Sequence, residues 1–201
     1  MLSHHIGAAR TIISTLSGTT FMNDATRTRQ QIFVIDVLQC LAYHDADHGP
    51  IRDIAQWCSS SWLHLVQHHP DSPEILSGIG HSWLLRAQPA LARVSEHDQT
   101  SGSSDSSGSE EVHGSSKTCD RDTWPGHAQT ESQNQRRALP EYVEARGLLE
   151  PAIDYLNRAV GASRRQGRTP SGDLLTLVSI ALDGREGQSR LTVTHRLQRP
   201  I

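Results

Sequence analysis

From about residue 27 to 95 apolar residues recur every three or four positions, and proline or glycine marks each place where the rhythm stops. In "TRTRQQIFVIDVLQCLAYHDADHGP", Ile32, Ile35, Leu38 and Ala42, with Val34, Val37 and Leu41, cover a broad helical face. This predicts a largely buried helix over about 27–44. The β-branched run from Ile32 to Val37 also suits a short strand, but the continuing Leu38, Leu41, Ala42 pattern favours helix. Gly49 and Pro50 close the segment. In "PIRDIAQWCSSSWLHLVQHHP", Ile51, Ile54, Ala55, Cys58, Trp62, Leu65 and Val66 predict an amphipathic helix ending before Pro70.

"DSPE" restarts the chain. Asp71 or Ser72 can cap, Pro73 suits the first turn, and Glu74 favours the positive end of a helix dipole. Ile75, Leu76, Ile79, Trp83 and Leu84 form the next stripe, and Pro89 predicts another break before "ALARV". Helical signals return at "LPEYVEARGLLEPAIDYLNRAVGASRRQG". Acids open this segment and arginines close it, and Pro151 divides it into helices at about 140–148 and 151–166. Leu174, Leu177, Val178 and Ala181 predict one more helix.

The expected organisation is all-α, built of short antiparallel helical hairpins with a long disordered insertion. Residues 1–25 read as a flexible N-terminal segment, 26–95 as helical hairpins, 96–139 as the insertion, 140–182 as further hairpins and 183–201 as a tail. The insertion is rich in Ser, Gly and acids with no apolar period, so burial cannot offset an ordering entropy of roughly 1–2 kcal/mol per residue. Within it, Trp124 is isolated, and Ser107 with Glu110 has the shape of an acid-directed kinase site.

Composition adds little until it is divided along the chain. Hydrophobic residues make up 35% and net charge is −3. Yet residues 1–135 carry 8 basic and 15 acidic groups, whereas 155–201 carry 8 basic and 3 acidic. Basic surface therefore gathers at the C-terminal end. Cys40, Cys58 and Cys119 form no CxxC pair, and the first two fall on apolar helical stretches, as reduced intracellular thiols do. The expected compartment is cytoplasmic or nuclear. The acid-free start with Arg10 alone makes a poor mitochondrial presequence yet leaves the mitochondrion as an alternative compartment, and no apolar run is long enough to span a membrane.

Two stretches resemble the tetratricopeptide (TPR) repeat, whose pattern runs W-x2-L-G-x2-Y, then A-x3-F, then P. "LSGIGHSW" supplies Leu76, Ile79, Gly80 and Trp83; "GLLEPAIDYLNRA" supplies Gly147, Ala152, Leu156 and Ala159. Cys58, Trp62 and Pro70 fall at the Ala, Phe and Pro roles of a preceding vestige. After Trp83 the second helix of that repeat aligns through Ala90 and Val94 or through Ala92 and Glu96, and Arg164 stands where the pattern has proline. The resemblance covers roughly 50–95 and 140–182 and consists of packing positions. Small residues such as Gly80 and Ala152 admit close neighbours, and Trp62, Trp83 and Leu156 fill the gaps.

The resemblance implies a non-catalytic adaptor or scaffold that binds protein partners, with Gln56, Gln67, Arg86, Asn157 and Arg158 as candidate contacts on the polar helix edges. So few repeats are stable with difficulty alone, which makes self-association a second expectation. No cofactor or metal is expected. The rival chemistry is a metal-dependent hydrolase. His64 and His68 stand four apart, with His69, His81 or the His44, Asp45, Asp47, His48 group to complete a ligand set. A zinc-protease helix needs Glu after the first His, where Leu65 stands. The other rival is nucleic-acid binding by Arg164, Arg165 and Arg168, which lack interleaved aromatic residues and read as a solvated helix end. No P-loop, dinucleotide fingerprint or nucleophile elbow is present.

Overall fold

A computed structural model describes residues 2–45, 49–102 and 139–186. They form six α-helices and no strand: α1 Leu2–Ser17, α2 Thr28–Ala42, α3 Arg52–His68, α4 Pro73–Gly102, α5 Pro140–Arg165 and α6 Gly172–Glu186. The all-α expectation holds. The insertion from residue 103, with Ser107, Cys119 and Trp124, and the tail from residue 187 lie outside the described residues, as do Asp47 and His48.

Three boundaries differ from the sequence expectation. The segment read as flexible contains α1, which turns Ile6, Ala9 and Ile13 toward a core shared with α2 and α3. Its Arg10 pairs with Asp53 of α3 at 2.6 Å. Pro89 does not end its helix: α4 runs unbroken through it and past Glu96 to Gly102. Likewise Pro151 sits inside one continuous α5. An interior proline costs about 3 kcal/mol through a lost hydrogen bond and a ring clash. Both prolines are flanked by buried side chains, Ala87 and Ala90 in α4 and Leu149 and Ala152 in α5. Breaking either helix would expose those contacts, so tertiary burial outweighs the local preference.

α4 is the central element. Buried residues surround much of its girth, including Ile75, Leu76, Ile79, Ser82, Leu84, Leu85, Ala87 and Ala90. One side meets a first core with Ile35, Leu38, Ile54, Ala55, Cys58, Trp62 and Leu65 of α2 and α3. Another meets a second core with Leu149, Ala152, Leu156, Ala159 and Ala162 of α5 and Leu174, Ile180 and Ala181 of α6. Ser72 caps α4, its hydroxyl accepting from the Ile75 amide, with Pro73 in the first turn as expected.

Two glycines in α4 set the spacing of its neighbours. A Cβ on Gly80 would lie 2.6 Å from Leu156 Cγ and 3.2 Å from the Ala152 carbonyl, so α5 approaches there as the sequence reading anticipated. A Cβ on Gly78 would lie 2.5 Å from the Trp62 ring, a close approach the sequence reading did not single out. At the far end of α5, Gly167 takes φ +69°, and the Arg168 amide donates to the Ser163 carbonyl, a Schellman-type stop. No helix of the described residues is long and apolar enough to cross a membrane.

Candidate functional site

The histidines set four apart do face each other. The His64 and His68 rings meet edge-on at 4.8 Å between centroids. His64 Nε2, however, donates to the Met22 carbonyl at 3.1 Å, and His69 Nε2 donates to the Thr28 hydroxyl at 3.2 Å, which itself donates to the Ala25 carbonyl. These imidazoles tie the C-terminal end of α3 to the entry of α2. His44 lies at the opposite end of the antiparallel pair, just past α2, where the Ile51 amide reaches the Ala42 carbonyl. The 15 residues of α2 separate the two groups by about 22 Å. Among the described residues the fold therefore does not bring His44 and Asp45 to the His64–His68 pair, and no group of three or more His, Cys, Asp or Glu is placed to hold a metal. His81 is elsewhere again, on α4. Its Nε2 is buried without a partner, and burial pushes its pKa down to about 4, so the ring is neutral at physiological pH.

The basic end of α5 is tied down as well. Arg165 pairs with Asp71 at 2.9 Å and Arg168 with Glu74 at 2.8 Å, while Gln166 Nε2 donates to the Asp71 carbonyl. Two of the three arginines considered for phosphate contact are thus engaged across the α3–α4 turn. Exposed pairs of this kind stabilise by about 1 kcal/mol or less. Their effect is to fix where α5 ends.

The five candidate partner contacts are all exposed, but they do not form one surface. Gln56 and Gln67 fall on the outward side of α3, near the exposed Leu63. Asn157 lies about 100° around α5 from Arg158. Arg86 and Arg158 are in a different setting. The Arg86 guanidinium lies 4.6 Å from the centroid of the Trp83 ring, and that of Arg158 lies 5.0 Å from the Tyr155 ring. Trp83 and Tyr155 are half-buried and each packs against both cores, so both rings sit on the seam between them. Tyr43 closes the α2 side, its hydroxyl sharing a hydrogen bond with Ser82; burial raises its pKa, and the nearby Arg86 charge opposes that rise. Tyr155 and Tyr43 were not legible as seam residues, because the sequence shows no link between α2, α4 and α5.

A second exposed feature lies on α2. The sequence reading counts Val37 in a largely buried face, yet Val37 is 52% exposed and Phe33, one turn earlier, is 66% exposed. Cys40 is exposed one turn further on, giving an apolar line at i, i+4 and i+7. The opposite side of α2 already buries Ile35, Leu38 and Ala42, and among the described residues Phe33 and Val37 on its outer side stay exposed. Neither Cys40 on α2 nor Cys58 on α3 carries an activated thiol. Partial desolvation of the Cys40 sulfur beside its helix neighbours and the Asp36 charge raise the Cys40 pKa, although the residue is exposed as a whole, and burial pushes that of Cys58 to about 12. Asp36, on the flank of the line, is itself raised to about 6 by burial.

The chain matches no family model, no curated protein and no solved structure.

Proposed function

We propose that this chain is a non-catalytic protein-interaction scaffold of TPR-like helical hairpins. The observation that carries the reading is the outward line Phe33–Val37–Cys40 on α2, an amphipathic helix with apolar residues left over after its core face is buried. Helix-in-groove recognition uses side chains at this spacing. Packing of Gly80 against Leu156 and the Ala152 backbone supports the repeat likeness, although Leu76, Ile79 and Gly80 share one continuous helix with Ala90 and Val94. An intracellular partner protein that offers an apolar groove is the expected ligand of α2.

The test is affinity purification with mass spectrometry, comparing the wild type with a Phe33→Ser, Val37→Ser double variant. Both side chains are exposed, so the fold and its thermal melt should survive. The expected result is loss of a specific set of co-purifying proteins. Identical sets from the wild type and a folded variant would remove α2 as the binding surface.

A further inference from the structure

We infer that the seam between the two cores binds an acidic protein segment, with Arg86 and Arg158 each taking a carboxylate. The inference rests on the scaffold reading but uses a different surface from α2. Long side chains on a helix point back toward its N-terminus, and each arginine here stacks on the aromatic residue three positions before it. α4 and α5 run antiparallel, with Gly80 level with the Ala152–Leu156 turn. Arg86 and Arg158 therefore lean toward one another over the seam from opposite ends.

Helix rise and spacing place the two guanidiniums roughly 10–12 Å apart. Carboxylates two or three residues apart on an extended chain match that span, at roughly 3.3 Å per residue plus side-chain reach. Stacking holds each guanidinium over a ring and leaves its edge donors for a carboxylate. Among the described residues no carboxylate lies within pairing distance of Arg86. Arg158 reaches Asp154 only at 3.8 Å, the limit of such a contact. Arg10, Arg27, Arg93, Arg165 and Arg168 are held by carboxylates at 2.6–3.0 Å. The two on the seam are held over aromatic rings instead.

The half-buried Trp83 and Tyr155 rings under the two guanidiniums bring apolar surface to the seam, so the complementary segment carries an apolar residue between its acids. Nucleic acid fits less well. Bases need open aromatic faces to stack on, and here guanidiniums lie over both rings.

Fluorescence anisotropy of the full chain with a labelled Glu/Leu peptide tests the inference, beside its Gln/Leu counterpart and a short single-stranded oligonucleotide. The acidic peptide should bind saturably and the Gln/Leu peptide should not. Arg86→Gln and Arg158→Gln should each weaken binding by roughly tenfold, the effect expected of one charged hydrogen-bonding group. Arg146→Gln, an equal charge change on another side of α5, should leave binding unchanged. Asp154→Asn should tighten it by releasing Arg158, a gain that no loss of folding could mimic. No binding of the acidic peptide to folded wild type would overturn the inference. Equal affinity in the Arg86→Gln, Arg158→Gln double variant, or oligonucleotide binding tighter than peptide binding, would do the same. Each of these failures would leave the α2 experiment unaffected, so the two outcomes can be told apart.

Discussion

The two cores on either side of α4 are built by different means. In the first, large side chains pack around buried polar groups. The Trp62 indole N–H donates to Gln39 Oε1 at 2.8 Å, and Gln31 Nε2 donates to the Phe21 and Asp24 carbonyls. Both glutamines are almost fully buried. The second core holds Leu76, Leu84, Leu149 and Leu156 among Ala87, Ala152, Ala159, Ala162 and Ala181, and relies on shape. A polar pair rewards one register and penalises others, because a displaced indole or amide loses its partner. A leucine–alanine surface discriminates mainly through close contact, as at Gly80. One side of the molecule is thus fixed by chemistry, the other by fit.

Trp62→Ala should break this contrast most severely. It removes the largest fully buried side chain, opens a cavity beside Gly78 and leaves Gln39 Oε1 without its donor, when Gln39 Nε2 is already unpartnered. The expected loss is about 3–5 kcal/mol, before any further cost of the stranded amide. Leu156→Ala in the second core creates a cavity but strands no polar atom, so urea unfolding should show the smaller loss of the two. A larger cost for Leu156→Ala would reverse the assignment of roles.

Acidity separates the central helix from the flank of α2. His81 has a folded pKa of about 4 against an ordinary 6.5, so the unfolded chain takes up its proton first, and stability falls as pH drops from 6.5 toward 4. Asp36 has a folded pKa of about 6 against an ordinary 3.8, so its contribution is full below 3.8 and is lost as pH rises toward 6. Each is on the order of 3 kcal/mol, with opposite slopes that overlap between about 4 and 6. The wild type should therefore show a nearly flat stability profile in that interval. Asp36→Asn should expose the acid-side loss from His81, and His81→Leu should expose the fall with rising pH from Asp36. Urea midpoints at pH 4, 5, 6 and 7 measure both; parallel profiles in all three proteins would contradict the opposed slopes.

Much of the second core was legible in sequence, because Gly80, Ala152, Leu156 and Ala159 stand at helical spacing and all four are buried where they meet. The apolar stripes of α2, α3 and α6 were legible for the same reason. The continuity of α4 and α5 was not, since proline's local penalty can be read from sequence while the burial that overrides it cannot. Gln39 as the partner of Trp62 was equally hidden, because a polar residue on a stripe carries no sign of what it will meet. Of the candidate partner contacts, Arg86 and Arg158 share the seam, but their aromatic supports come from the three-residue stacking that only coordinates reveal. The exposed Phe33 and Val37 were missed because apolar content alone does not say how many neighbours a helix will have.

The smallest effects sharpen the comparison furthest, because they use one substitution at two glycines given the same kind of role by the repeat likeness. At Gly80 a new Cβ would meet Leu156 and the Ala152 carbonyl, so Gly80→Ala forces α4 and α5 apart, at a cost of about 1–3 kcal/mol. At Gly147 a new Cβ meets nothing within 4 Å, although the residue sits inside α5. There the methyl group brings only the helix preference of alanine over glycine, a gain of roughly 0.5–1 kcal/mol. The two variants should move the urea midpoint in opposite directions. Adding Leu156→Ala to Gly80→Ala should then recover part of the Gly80 loss through a double-mutant coupling, since the methyl would enter space the leucine has vacated. The same addition to Gly147→Ala should be additive. If the Gly80 pair also proved additive, the close approach of α4 and α5 would depend on something other than the contact between that glycine and Leu156.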